Sequence, residues 1–282
     1  MNRFHLESRT IDSKSLLRTK AKESDTAKTY SEPGVYCLND KPVIIYGRLE
    51  ERHDKMLWAV KSLALIQEAR SSDVSRMGGK CAKEGKERGL GESRIFGFRP
   101  RISFNPAANY CSIASVHRTH PSQHHIIMEF GKILNALYEN HAPESAAEHD
   151  RQLAAIGDEW KIPGTRFTSG IINKNNPLGY HYDRGNLLNV MSCMIVFREL
   201  CEGGFLSIPG LGGKWMLDDR SFVLFDGQTH LHGVTPIKSL NKNAYRISVV
   251  YYALRAMSGC GTQAEELSRA RIDKSARERR RV

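Results

Sequence analysis

No two cysteines in this 282-residue chain stand at CxxC spacing. Cys37, Cys81, Cys111, Cys193, Cys201 and Cys260 lie far apart, which argues against structural zinc and a disulfide framework. Reduced thiols and no disulfide-linked partner are the expectation. Long hydrophobic runs are also missing: no apolar stretch approaches the ~20 residues that span a bilayer. A soluble protein with no membrane partner is expected. Residues Met1 to Ser8 carry no apolar signal core, so a cytoplasmic or nucleic-acid-associated location is expected. Internal repeats are absent.

Acidic residues are in deficit, 31 against 42 Lys and Arg, leaving a net charge of +11. A basic surplus attracts polyanions, which makes nucleic acid a candidate partner, although basic surfaces also occur in proteins that bind none.

Residues 1–30 are polar and without sustained period, and read as a flexible arm. Val35–Leu38 and Pro42–Tyr46 form a predicted hairpin about Asn39-Asp40-Lys41, followed by a helix over about His53–Ala69. Ser71–Ser93 is Gly-, Ser- and charge-rich and reads as a long basic loop, either a solvated insertion or a phosphate contact. Arg94–Phe104 reads as extended. Pro121 and Ser122 introduce an amphipathic helix with Ile126, Ile127, Phe130, Ile133, Leu134, Leu137 and Tyr138 on one side. His120, His124, His125 and His141 lack a carboxylate partner in sequence and read as structural or surface residues.

After about Phe167, short β-branched and aromatic runs broken by Gly, Pro and Asn predict a sandwich or jelly roll. Predicted strands cover Thr168–Asn173, Leu188–Phe197, Phe205–Ile208, Ser221–Phe225, Gly233–Ile237 and Tyr245–Leu254. The expected organisation is an arm (1–30), one domain (31–257) whose core is 166–257, and a basic tail or helix (258–282).

Gly179-Tyr180-His181-Tyr182-Asp183 places an imidazole and a carboxylate at i and i+2, on one side of a strand. His230 or His232 supplies a third ligand; His232 is preferred because Gly233-Val234-Thr235-Pro236 follows it as a permissive turn, leaving His230 a pocket residue. Two histidines and one carboxylate make the facial triad of non-haem iron(II). An isolated His-x-Asp is common by chance. The ordered set is more specific: Gly203-Gly204-Phe205-Leu206-Ser207-Ile208-Pro209 matches "GGxLxxP", and Arg246-Ile247-Ser248 follows His232.

In that order the chain resembles the 2-oxoglutarate/iron(II) oxygenase superfamily over about residues 165–255. The resemblance implies an α+β fold: a double-stranded β-helix (jelly-roll/cupin-like) core with N-terminal helices packed on the outside. It implies Fe(II), 2-oxoglutarate and O2, with His181, Asp183 and His232 as catalytic metal ligands. Arg246 and Ser248 would hold the co-substrate, since a guanidinium binds a carboxylate through two charge-assisted bonds.

Within the superfamily, Phe167–Leu254 is most similar to the TET and J-binding-protein group, which oxidises the 5-methyl group of thymine or 5-methylcytosine in nucleic acid. Asn186 and Tyr252 match that group's base-contacting asparagine and stacking tyrosine. Leu254 stands where TET proteins place a histidine used on cytosine, and the TET cysteine-rich zinc region is absent. Both departures favour thymine in DNA. Arg101, in a segment similar to one upstream of the iron motif, is a candidate contact for co-substrate or phosphate. Alternatives are 5-methylcytosine, a small metabolite such as an amino acid, or an inactive nucleic-acid-binding homologue.

Overall fold

Alternating strands with two apolar faces need cover on both sides, and the computed structural model of the chain shows where that cover comes from. It describes residues 1–65, 92–102 and 109–279. The N-terminal half runs β1 (Asn2–His5), α1 (Ser13–Leu16), β2 (Lys28–Tyr30), β3 (Gly34–Leu38), β4 (Lys41–Arg48), α2 (Asp54–Leu65), β5 (Glu92–Arg99), β6 (Ser112–Ile113), α3 (Val116–Thr119), α4 (Pro121–His141) and α5 (Pro143–Leu153). The C-terminal half runs β7 (Ser169–Lys174), β8 (Ser192–Glu199), β9 (Cys201–Gly203), β10 (Leu206–Ile208), β11 (Gly213–Trp215), β12 (Ser221–Phe225), β13 (Gly233–Val234), β14 (Ile237–Ser239), β15 (Tyr245–Tyr252) and α6 (Gln263–Arg279).

A nine-stranded sheet has the order β1-β3-β4-β12-β8-β15-β7-β5-β6, and a four-stranded sheet the order β13-β10-β11-β2. Met194, Val196, Val223 and Phe225 of the large sheet pack against Leu206, Ile208 and Trp215 of the small one, forming the core between the two layers. The outer face of the large sheet, with Ile247, Val249 and Tyr251, is covered by Val60 and Leu63 of α2 and by Ile127, Phe130 and Leu134 of α4. Helices outside a jelly roll are the expected arrangement. Strand alternation then decides the site: β15 turns Ile247, Val249 and Tyr251 to the helices, so Arg246, Ser248, Val250 and Tyr252 face the other way.

Local chemistry explains the elements. Asn39 and Asp40 both have positive φ (50° and 63°), the conformation a tight β3–β4 turn requires and these residue types tolerate. Pro121 opens α4 at the position where its missing N–H costs nothing. On α4, Gly131 allows close approach of Tyr251, whose ring would meet an added β-carbon at 3.0 Å. The Tyr251 hydroxyl donates to the Ile127 carbonyl at 2.7 Å and locks this helix to the sheet.

Several expectations need correction. Residues 1–30 are not a free arm: β1 pairs with β3 and β2 with β11, both parallel, and Leu6, Ala21 and Thr26 are buried. The two sheets therefore include this segment, because edge pairing fixes residues that have no apolar periodicity of their own. Cys111 and Cys260 are joined by a disulfide, with Cα atoms 5.8 Å apart, so these two are not reduced thiols. A separation of 149 residues leaves no local spacing signature for such a pair. Strand β8 starts at Ser192 rather than Leu188, and Gly233–Ile237 is divided between β13 and β14. Thr235 and Pro236 between them bond to the "GG" segment instead: Thr235 N donates to the Phe205 carbonyl (3.0 Å) and the Pro236 carbonyl accepts Gly204 N (2.9 Å).

The segment after Met257 forms helix α6, anchored by Glu266. This carboxylate is 1% exposed and accepts from Arg101, from Cys111 N (2.7 Å) and from Gly261 N (2.9 Å). Arg101 thus anchors the C-terminal helix through its pair with Glu266. The end of the predicted helix beyond Leu65, the basic loop up to residue 91 and the turn at Asn105-Pro106 lie outside the described residues. No described helix is long and apolar enough to cross a membrane.

Candidate active site

His181 and His232 form an isolated antiparallel bridge: His181 N donates to the His232 carbonyl (2.9 Å) and His232 N to the His181 carbonyl (3.1 Å). Their ring centroids are 4.2 Å apart. Asp183 leaves the bridge and enters a turn, where its N–H donates to the Gly227 carbonyl (2.9 Å) and its carbonyl accepts Asn186 N (3.0 Å). The expected i, i+2 pairing on a regular strand is therefore replaced by one bridge and one turn. The side chains still converge: one ligand atom from each of His181, Asp183 and His232 lies within 4.8 Å of the others. His181 Nε2 is 3.4 Å from Asp183 Oδ1, and His232 Nε2 is 3.9 Å from Asp183 Oδ2.

Which ring nitrogen carries the proton follows from the partners. His181 Nδ1 lies 2.8 Å from the Gly179 carbonyl and His232 Nδ1 2.9 Å from the His230 carbonyl. A carbonyl only accepts, so both Nδ1 atoms donate and each neutral ring presents its Nε2 lone pair toward Asp183. This is the tautomer and orientation a metal-binding histidine needs. His230 contributes its carbonyl to the trio, and not a ring nitrogen. Burial and the neighbouring His181 push His232 down to about 4, so it stays neutral at ordinary pH. Burial opposes charge on both His181 and Asp183, yet contact with Asp183 raises the first, and His232 followed by His181 lowers the second.

Arg246 is 1% exposed, and its Nε and Nη2 have no hydrogen-bond partner among the described residues. Its backbone N–H donates to Asn175 Oδ1 at 2.8 Å. Burial and the adjacent Arg198 lower its pKa to about 10, which still leaves it charged near neutrality. A buried cation with open donors is costly unless an anion meets it. Gly204, at φ +72°, makes room for it: a β-carbon there would stand 2.7 Å from Arg246 Cδ and Nε. Ser248 is buried two residues along the same strand face. A His-Asp-His donor set fits a divalent iron, and a buried guanidinium with two nitrogens unpaired among the described residues fits a dicarboxylate co-substrate.

Asn186 is buried, bridged to Leu254, and its amide donates to Ser192 Oγ at 3.0 Å. Tyr252 shares the strand face of Arg246 and Ser248, and burial together with the charge of Asp183 raises its phenol pKa. Two further contributions were not foreseen from sequence. The buried Tyr180 hydroxyl meets Asp25 Oδ2 (3.0 Å) and Ser207 Oγ (2.8 Å), and its backbone pairs with Arg18 and Thr19, so the N-terminal segment braces the His-x-Asp motif. Gly227 abuts Asp183, and a side chain there would overlap the carboxylate. The Asp226-Gly227 dipeptide is a readable turn signal, whereas nothing in residues 18–25 indicates their partner.

Comparison with known proteins places this geometry in context. The Tet_JBP profile, described as the oxygenase domain of the 2OGFeDO superfamily, matches residues 103–255. "Bifunctional helicase and thymine dioxygenase JBP2" of Trypanosoma cruzi is 30% identical over 138 residues, covering 49% of this chain and 12% of that protein. The Leishmania major protein of the same name is 31% identical over 121 residues, covering 43% of this chain and 11% of its own length. The chain thus aligns with only a small part of these relatives. The solved structure of NgTET1 in complex with 5mC DNA superposes with a TM-score of 0.55 at 14% identity, covering 86% of this chain and 88% of that one, a likeness of fold. The profile match spans more than half of the sequence, and the chain belongs to the Tet_JBP family of 2-oxoglutarate- and iron(II)-dependent oxygenase domains.

Proposed function

We propose that this chain is a dioxygenase that hydroxylates the 5-methyl group of a pyrimidine base in DNA, with thymine preferred and 5-hydroxymethyluracil the product. The observation that carries the reading is the convergence of His181 Nε2, Asp183 and His232 Nε2, in a fold that also buries the Arg246 guanidinium with Nε and Nη2 unpaired among the described residues. In this reading His181, Asp183 and His232 hold Fe(II). When bound with 2-oxoglutarate and O2, the metal supplies the oxidation of an unactivated C–H bond.

The remaining work falls to the protein. Arg246 binds the distal carboxylate of 2-oxoglutarate with the two donors it has free, and Ser248 adds a hydroxyl on the same strand face. The carbonyls of Gly179 and His230 hold the imidazole tautomers. Tyr252 offers an aromatic face beside Asp183 on which a base can stack, and Asn186 a polar edge to read it. Leu254, bridged to Asn186, is apolar and gives cytosine's amino group no partner. Thymine is further supported by the curated relatives, which are named as thymine dioxygenases. The basic charge of +11 suits a polyanionic substrate.

The test is mass spectrometry of nucleosides from DNA incubated with the protein, Fe(II), 2-oxoglutarate and O2. 5-Hydroxymethyluracil is the expected product, and none should form with Asp183→Ala. 5-Hydroxymethylcytosine instead would change the target base. Succinate release stimulated by a metabolite mixture but not by DNA would overturn the substrate, and no turnover at all would overturn the enzyme.

A further inference from the structure

Two of the three proposed ligands are held by a single turn. It follows β12 and runs from Asp226 to His230. Its Gly227 carbonyl accepts Asp183 N at 2.9 Å. The bare Cα of Gly227 leaves space for the Asp183 carboxylate: a β-carbon would stand 3.1 Å from Asp183 Cγ and 3.2 Å from His232 Cε1. At the other end of the turn, the His230 carbonyl takes the proton on His232 Nδ1 at 2.9 Å. Both contacts therefore depend on the same five residues keeping one backbone shape.

That shape is closed by a carboxylate outside the triad. Asp226 Oδ1 accepts Gln228 N (2.9 Å) and Thr229 N (3.1 Å), and Oδ2 accepts the Thr229 hydroxyl (2.6 Å). The Asp226 carbonyl accepts His230 N at 3.1 Å. The Asp226 side chain thus takes three donors from Gln228 and Thr229, which an apolar side chain cannot do, while the backbone contact to His230 would be open to any residue. Gln228 adds a cross-link, its Nε2 donating to the Arg184 carbonyl at 3.2 Å, next to Asp183.

We infer that Asp226 is a positioning residue for the metal, acting through the 226–230 turn on the carboxylate of Asp183 and the tautomer of His232. The inference rests on the metal reading proposed above. Groups that orient metal ligands at one remove typically alter metal affinity by about 10- to 100-fold when removed. What matters here is the turn geometry, so an amide at position 226, whose oxygen still accepts both backbone N–H groups, should serve nearly as well.

The experiment titrates the full chain with Co(II), followed by its visible d–d absorption. Wild type, Asp226→Asn, Asp226→Ala and His181→Ala are compared, with circular dichroism as the check on folding. Asp226→Ala should bind Co(II) about 10- to 100-fold more weakly, Asp226→Asn close to wild type, and His181→Ala not at all. Should Asp226→Ala fail to fold, Thr229→Val removes one of the carboxylate's three donors from the surface and should weaken Co(II) binding in the same direction by less. Wild-type affinity in Asp226→Ala, or in Thr229→Val where that is the variant read, overturns the positioning role and leaves the metal reading intact. Equal losses in the Asn and Ala variants also overturn it, since charge rather than geometry would then be acting. Absence of Co(II) binding in wild type, or binding untouched by His181→Ala, overturns the metal reading itself.

Discussion

Gly204 and Arg246 occupy each other's space: a β-carbon on the glycine would stand 2.7 Å from both Cδ and Nε of the arginine. The "GG" segment is thus the wall behind the guanidinium. Gly204→Ala adds a methyl where neither partner yields easily, and φ of +72° adds strain. The expected outcome is a raised KM for 2-oxoglutarate, by roughly tenfold or more as misplacement of a bidentate contact, with Co(II) binding retained. Arg246→Lys should do likewise, because an ammonium cannot reproduce the planar fork.

Tyr180 ties the N-terminal segment to the metal motif through Asp25 and Ser207. Tyr180→Phe leaves the buried Ser207 hydroxyl and the half-buried Asp25 carboxylate short of one hydrogen bond each, at a cost of about 1–3 kcal/mol. Urea denaturation should show the lower stability. Deleting residues 1–27 should expose the motif and lose metal binding, whereas a free arm would be dispensable.

Buried neutral histidines set an acid limit. Burial, with His117 and His125, holds His124 down to about 4, and burial, with Arg166, holds His149 down to about 3, against an ordinary value of 6.5. The unfolded chain takes up these protons near pH 6.5 and the folded one does not, so stability is full above that pH and falls as pH drops toward 4 and 3. His124 and His149 together should contribute about two protons to the slope. His149→Leu should flatten it by about one, as read by urea denaturation across pH. Glu266 adds a second loss at lower pH. Burial raises its pKa, but Arg101 and the backbone N–H groups of Cys111 and Gly261 outweigh that and bring it to about 2. Its contribution is present above about 4.5 and is lost as pH falls through 2.

The Cys111–Cys260 bond closes a separation of 149 residues. On chain entropy it should stabilise the fold by about 3–5 kcal/mol. Reduction, or Cys260→Ser, should lower the denaturation midpoint accordingly. Iodoacetamide labelling of the unreduced, unfolded protein should leave these two cysteines unmodified.

Much of the site was legible because its parts are local. His-x-Asp, His-Gly, Gly-Gly and Arg-x-Ser are short patterns whose order along the chain is fixed, and strand alternation alone puts Arg246, Ser248 and Tyr252 on one face. The jelly roll followed from short strands broken by turn residues, and α4 from its apolar spacing. Pairings between distant, individually unremarkable segments left no such trace. Residues 1–30 carry no period because edge strands and bracing loops are held by backbone bonds and single side chains, as with Tyr180 and Asp25. Arg101 illustrates the same limit: the sequence placed it near the iron motif, and the fold gave it to Glu266.

The sequence by itself therefore determined the chemistry on offer: two imidazoles, a carboxylate, a guanidinium and the glycines that make room for them. Tertiary structure decided which nitrogen of each imidazole is free, that Arg246 is buried with Nε and Nη2 unpaired among the described residues, that Gly227 sits against Asp183, and that Cys111 meets Cys260. The physical reason is range. Residue type and period act within a few positions, whereas tautomer, desolvation and steric exclusion depend on atoms that only folding brings together.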